Sequence, residues 1–124
     1  MILENFYTIK SKQISEDQIN YTFEIIINNK HDIFRGHFPD NPVMPGVCMI
    51  QIIKEITESV IGKKLFMDKC SNVKFLAIIN PDKTPKLTLE LQITKIDSKV
   101  KVKNTTKFED TVALKLSAQY QILV

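Results

Sequence analysis

The amino-acid sequence predicts an α+β fold in which an antiparallel sheet packs against one long helix. Segments that alternate apolar and polar residues occur on both sides of a single helical segment, and turn signals separate them. The helical segment is almost entirely apolar over residues 47–53, which predicts a helix buried at the centre of the domain. A chain of 124 residues is long enough for one hydrophobic core, so we predict a single domain over residues 1–124.

The segment before the helix is predicted to contain two strands. Residues 2–12 mix apolar and polar positions, which favours either a first strand or a short helix leading into one. Within residues 18–27, apolar residues at positions 19, 21, 23 and 25 alternate with polar ones at 20, 22 and 24, as is typical of a half-buried strand. The turn signal Asn28-Asn29-Lys30 ends this strand, and we expect residues 31–38 to be extended.

The helix is predicted to run from about Pro45 to Ile61. Proline fits the first turn of a helix, because its missing N–H has no helical partner there. The second half of the segment is amphipathic, with Ile53 expected in the core and Glu58 expected in solvent. Gly62 is well placed for a left-handed C-terminal cap.

Strand-like segments follow the helix. They cover residues 71–79, 86–96, 99–108 and 111–124. Asn80-Pro81-Asp82 ends the first of them, and Glu109-Asp110 separates the last two. Strands grouped beside a single helix indicate an antiparallel sheet.

Composition excludes several functional classes. A net charge of +3 is too small to indicate a nucleic-acid-binding protein, and no apolar run approaches the length of a membrane span, about 20 residues. His31 and His37 lack neighbouring ligands at metal-binding spacing, so we expect no metal. The N-terminal residues do not resemble a signal peptide, and Cys48 and Cys70 do not make a disulfide framework. A cytoplasmic protein is therefore expected.

The most informative stretch is FRGHFPDNPVMPGVCMIQIIKE, residues 34–55. It resembles the signature of the β-hydroxyacyl-acyl-carrier-protein dehydratase family, roughly G-H-F-P-x-x-P-x-[ML]-P-G-V followed by a carboxylate on the helix. The matching residues are Gly36, His37, Phe38, Pro39, Pro42, Met44, Pro45, Gly46 and Val47. The resemblance by residue type continues through residues 72–75 and 80–82, and it implies the hot-dog fold, a curved sheet wrapped around the central helix.

The resemblance assigns roles to several of these residues. His37 would be the general base, since an imidazole with a pKa near about 6.5 suits proton abstraction at neutral pH; otherwise it is a loop histidine satisfied by hydrogen bonds. The Gly46 N–H would hold the thioester carbonyl at the positive end of the helix dipole, although Gly46 also eases a tight turn. The carbonyl near Val43 would orient the imidazole. The residues assigned to substrate binding are Phe38, Val43, Pro45, Val47 and Glu55.

The family's catalytic carboxylate, fourteen residues after the histidine, is replaced here by Gln51. A neutral amide donates a hydrogen bond but cannot protonate a leaving hydroxyl. Gln51 would orient the substrate while His37 moves the proton, or Glu55, one helical turn further on, would supply the acid. A third alternative is that the protein binds acyl thioesters without dehydrating them. Gln51 paired with backbone is compatible with all three.

The function that these observations predict is dehydration of 3-hydroxyacyl groups carried as thioesters on acyl-carrier protein or coenzyme A. An acyl thioesterase and a non-catalytic acyl-binding or heterodimer subunit are the alternatives. No cofactor is implied. An acidic carrier protein would be attracted by the basic residues that flank the motif, which are Arg35, Lys54, Lys63 and Lys64. The family resemblance further implies a homodimer, or a multiple of one, with His37 from one subunit and Gln51 from the other forming each site.

Overall fold

The computed structural model describes residues 3–36 and 41–123. Six strands and one long helix account for most of them. In chain order the elements are β1 (Tyr7–Ile14), β2 (Asn20–Ile27), a short 3-10 helix (Asp32–Phe34), α1 (Gly46–Ile61), β3 (Leu65–Phe75), β4 (Lys86–Ile96), β5 (Lys99–Phe108) and β6 (Thr111–Ile122).

The strands form one antiparallel sheet in the order β1-β2-β4-β5-β6-β3. Two-residue turns join β4 to β5 and β5 to β6, and Asp97 and Glu109 begin these turns with φ of 55°. The segment that contains α1 connects β2, the second strand from one edge of the sheet, to β3, which forms the other edge. One cluster of buried side chains joins the inner face of the sheet to the helix. The predicted α+β class and hot-dog arrangement are confirmed.

The helix has the predicted ends. Pro45 is the N-cap, with φ −64° and ψ 136°, and its carbonyl accepts the Cys48 N–H at 3.0 Å. Gly62 adopts the left-handed conformation at φ 77°, and its N–H donates to the Glu58 carbonyl at 2.8 Å. The buried helix residues are Cys48, Met49, Ile52, Ile53, Ile56 and Thr57. Val47 is 61% exposed, so the prediction of a helix buried on every side is wrong at its first turn.

Two other sequence expectations are wrong. Residues 32–34 form a 3-10 turn instead of an extended segment, because the Nδ1 atom of His31 accepts the Ile33 N–H at 3.1 Å. The strand after the helix runs from Leu65 to Phe75 and not over residues 71–79. Its pairing with β6 is interrupted by two irregularities, which remove the alternation that marks a strand in the sequence.

Glu58 also differs from its predicted place in solvent. It is half-buried, and its Oε2 atom accepts the Leu65 N–H at 2.8 Å. The carboxylate therefore fixes the start of β3 against the end of the helix.

Replacing Ile53 with alanine is expected to lower the free energy of unfolding by about 2–5 kcal/mol. The side chain is fully buried between the helix and the sheet, so its loss leaves a cavity. Ser59→Ala, at an exposed position of the same helix, should change stability by less than about 0.5 kcal/mol. Urea denaturation of the two variants measures the difference. Equal midpoints would contradict this assignment of the buried helix face.

Candidate active site

The start of α1 presents backbone N–H groups to the surroundings. The first N–H groups of a helix have no intrahelical acceptor, and the helix dipole adds partial positive charge there. Gly46 is the first residue of α1 and is half-buried. The loop before it is fixed by the Met44 N–H, which donates to the Ile79 carbonyl at 2.9 Å. This end of the helix can hold an oxyanion or a polarised carbonyl oxygen.

An aromatic ring lies against this helix start. A Cβ atom added to Gly46 would come within 2.7 Å of the Phe75 Cζ atom and 3.1 Å of its Cε1 atom. Only glycine therefore allows the ring to lie where it does. Phe75 is 55% exposed, and its ring covers one side of the Gly46 backbone. The sequence identified Phe75 only as part of the family match, since nothing local to the end of β3 shows that it reaches residue 46.

Gln51 lies one and a half turns further along α1 and pairs with a carboxylate. Its Nε2 atom donates to the Oε2 atom of Glu55 at 3.0 Å. Both side chains are half-buried, and the separation of four residues places them on one face of the helix. One sequence interpretation paired Gln51 with backbone; among residues 3–36 and 41–123 the amide instead donates to a side chain.

Glu55 accepts two further hydrogen bonds from the N-terminal part of the chain. The Tyr7 hydroxyl donates to its Oε1 atom at 2.9 Å, and the Leu3 N–H donates to its Oε2 atom at 3.3 Å. Burial first, and then the hydrogen bond to Glu55 and its charge, raise the pKa of Tyr7 well above its usual value. Tyr7 therefore stays a neutral donor. Sequence spacing gives no signal for this contact, because Tyr7 and Glu55 are 48 positions apart.

The remaining residues assigned from the sequence have different surroundings. His37 and Phe38 lie outside the described residues. Pro45 and Val43 are half-buried beside the helix start, and Val47 is mostly exposed there. The structure thus places Gly46, Gln51 and Glu55 on one helix.

The basic residues around the motif remain accessible. Arg35 forms an ion pair with Asp32 at 3.4 Å, and both side chains are more than three-quarters exposed. Lys63 and Lys64 are exposed immediately after the helix, and Lys54 is half-buried.

The edge strand β3 carries an apolar surface. The exposed large apolar residues on and just after β3 are Phe66, Phe75, Leu76 and Ile78, each at least 55% exposed. Among the strands formed by the described residues, β3 has a neighbour only on its β6 side. An apolar edge strand with unpaired backbone groups is a surface that proteins usually cover.

Neither a metal site nor a membrane-spanning helix is found within the part of the chain that the structure describes. Residues 3–36 and 41–123 contain no group of three or more His, Cys, Asp or Glu side chains arranged to hold a metal ion. Within the same ranges, every helix is too short or too polar to cross a bilayer.

A family model described as ApeI-like, ApeI dehydratase, matches residues 11–116. The 3-hydroxyacyl-[acyl-carrier-protein] dehydratase FabZ of Lactobacillus helveticus is 34% identical over 104 residues, which cover 78% of this chain and 68% of that protein. The protein of the same name from Lactococcus lactis is 30% identical over 105 residues, which cover 79% of this chain and 67% of that protein.

Solved structures show the same fold at lower identity. The dehydratase heterocomplex ApeI:P from Xenorhabdus doucetiae has a TM-score of 0.72 at 18% identity, covering 92% of this chain and 96% of that one. A hypothetical thioesterase with coenzyme A from Streptococcus pneumoniae has a TM-score of 0.65 at 10% identity. The match covers 94% of this chain and 85% of that one. At these identities the likeness concerns the fold alone.

Proposed function

Because the chain belongs to the ApeI-like dehydratase family, we propose that it eliminates water from 3-hydroxyacyl thioesters carried on acyl-carrier protein. Two relatives whose names state this activity are identical to this chain at about a third of the aligned positions. The aligned positions cover more than three-quarters of this chain. The proposal is supported by the start of α1, where the Gly46 N–H has no intrahelical acceptor and Gln51 follows on the same helix.

The proposed reaction breaks the C2–H and C3–O bonds of the substrate and forms the C2=C3 double bond. His37 takes the C2 proton as general base. Negative charge then develops on the thioester oxygen, and the Gly46 N–H at the positive end of the helix dipole stabilises it. The β-hydroxyl leaves with one added proton as water.

The proton for the leaving hydroxyl comes from His37 in this proposal. Gln51 cannot supply it, because an amide is not an acid at neutral pH. Glu55 is the only carboxylate bonded to Gln51 among the described residues, and it accepts hydrogen bonds from three donors. Both Glu55 oxygens are therefore already bonded to donors of this chain. This arrangement supports a single-base route in which His37 first removes and then returns a proton.

The direct test is to incubate the purified protein with a 3-hydroxyacyl thioester of acyl-carrier protein and to follow the product by mass spectrometry. We expect loss of one water and formation of the enoyl thioester, with the reverse hydration from the enoyl substrate. Release of free acid without an enoyl product would indicate a thioesterase. Binding without any product would indicate a non-catalytic acyl-binding subunit, and either result would contradict the proposal.

We further propose that the protein forms a homodimer through the β3 edge. Phe66, on that edge, is 60% exposed, so Phe66→Lys is expected to shift the protein toward monomer in light scattering at micromolar concentration. Ile96→Lys is the matched control, because Ile96 is 63% exposed at the end of β4, away from β3. A parent protein that is monomeric at this concentration would rule out the homodimer.

The carrier protein is proposed to approach over Arg35, Lys63 and Lys64. Exposed positive charge attracts an acidic partner and raises the rate of association. The expected signature is a kcat/KM that falls with added salt for the carrier-bound substrate, while the same acyl group on a short pantetheine thioester is much less sensitive.

A further inference from the structure

A chain of hydrogen bonds runs from β1 to the amide of Gln51. The Tyr7 hydroxyl donates to Glu55 Oε1 at 2.9 Å, and the Gln51 Nε2 atom donates to Glu55 Oε2 at 3.0 Å. The Leu3 N–H donates to the same Oε2 atom at 3.3 Å. We call Leu3, Tyr7, Gln51 and Glu55 the Glu55 network. The family resemblance gives no role to Leu3 or Tyr7.

The network determines which end of the Gln51 amide faces Glu55. An ionised carboxylate only accepts hydrogen bonds, so the amide must turn its NH₂ group toward it. The Gln51 carbonyl oxygen is consequently directed away from Glu55, and within residues 3–36 and 41–123 it accepts no hydrogen bond.

Glu55 is held in place from two directions. Its two oxygens are fixed by a tyrosine on β1 and a backbone N–H near the start of the chain. Tyr7 is half-buried, as are Gln51 and Glu55, so water competes less with these bonds than it does on the surface. A carboxylate with fewer partners would rotate and release the amide.

We propose that Tyr7 and Glu55 are positioning residues that fix the Gln51 amide as a hydrogen-bond acceptor for the β-hydroxyl of the substrate. This inference rests on the proposed dehydratase function. The hydroxyl donates its hydrogen to the Gln51 carbonyl oxygen, which leaves an oxygen lone pair ready to accept a proton. The C2 proton taken by His37 is then returned to that lone pair as the C3–O bond breaks, so water leaves and the histidine is regenerated.

The experiment is a double-mutant cycle on dehydration kinetics, with Glu55→Gln, Gln51→Ala and the combined variant. Glu55→Gln lets the amide adopt either orientation, so kcat is expected to fall about 10-fold, the factor expected from one misplaced hydrogen bond, with a smaller change in KM. In the Gln51→Ala background the same substitution should change kcat less than about 2-fold, since Glu55 acts through Gln51. Additive effects in an active enzyme would overturn the inference and leave the proposed function intact.

Tyr7→Phe is a second variant that retains the aromatic ring and keeps the test valid if Glu55→Gln folds poorly. It is expected to lower kcat in the parent and to have no effect in Gln51→Ala. Glu58→Gln is the matched control, because Glu58 lies on the same helix and binds the Leu65 N–H without contacting Gln51; its kcat should equal that of the parent.

Two further outcomes decide between explanations. Loss of all turnover in Glu55→Gln would make Glu55 the acid and overturn the positioning role. A parent protein without dehydratase or hydratase activity would overturn the proposed function and this inference together.

A ¹H–¹⁵N spectrum tests the network without substrate. The Gln51 side-chain NH₂ signal, identified by its absence in Gln51→Ala, should shift in Tyr7→Phe and not in Glu58→Gln.

Discussion

His37→Ala is expected to lower kcat/KM for dehydration by about 10²–10⁴-fold while the protein remains folded. The imidazole is the proposed base for the C2 proton and, in the single-base route, the carrier of the proton that leaves with water. Its removal therefore disables both halves of the elimination. Loss of the enoyl absorbance in the hydration direction measures the rate, and circular dichroism checks the fold.

His31, the other histidine of the chain, provides the matched control for this result. His31 accepts the Ile33 N–H at its Nδ1 atom, and its ring packs edge-on against Phe6 with a centroid distance of 5.1 Å. His31→Ala should lower the melting temperature but leave kcat of the folded enzyme unchanged. Equal activity of His37→Ala and the parent, with unchanged circular dichroism, would remove His37 from the mechanism.

Gln51→Glu is expected to raise turnover about 10-fold or more, because it restores an acid at the position where the resemblance places one. The introduced carboxyl would lie beside Glu55, whose Oε2 atom is 3.0 Å from the Gln51 nitrogen in the parent. Two adjacent carboxylates cannot both ionise easily, so one proton is retained to higher pH. That proton is available to the leaving hydroxyl.

The pH dependence separates the parent from this variant. In the parent, kcat/KM should rise as His37 loses its proton and then remain level, since no acid has to stay protonated. In Gln51→Glu, the rate should fall again at higher pH as the introduced carboxyl ionises, which gives a bell-shaped profile. A variant no faster than the parent would refute the view that the amide limits the rate.

The parts of the fold that follow from local chemistry could be predicted from the sequence. The helix ends are set by Pro45 and Gly62. The strands β4 and β5 have the predicted bounds, because alternating apolar residues mark both and a turn separates them. The start of β3 was missed because its pairing with β6 is irregular and Asn72 adopts a positive φ of 54°. Such irregularities depend on the neighbouring strand, so the segment itself carries no periodic signal.

The candidate site likewise contains contacts that local sequence predicts and contacts that depend on the folded chain. The contact between Gln51 and Glu55 follows from their spacing on one helix. The contacts of Tyr7 with Glu55 and of Phe75 with Gly46 arise only when β1 and β3 reach the helix in the folded chain. The residues of the motif could therefore be predicted from the sequence, whereas the contacts of Tyr7 and Phe75 with them could not.

The bond from the Leu3 N–H to Glu55 has a practical consequence. Leu3 precedes β1, and local opening of this segment would break one of the bonds that hold the carboxylate. Hydrogen–deuterium exchange at Leu3 is thus a reporter of how intact the site is, without any substrate present.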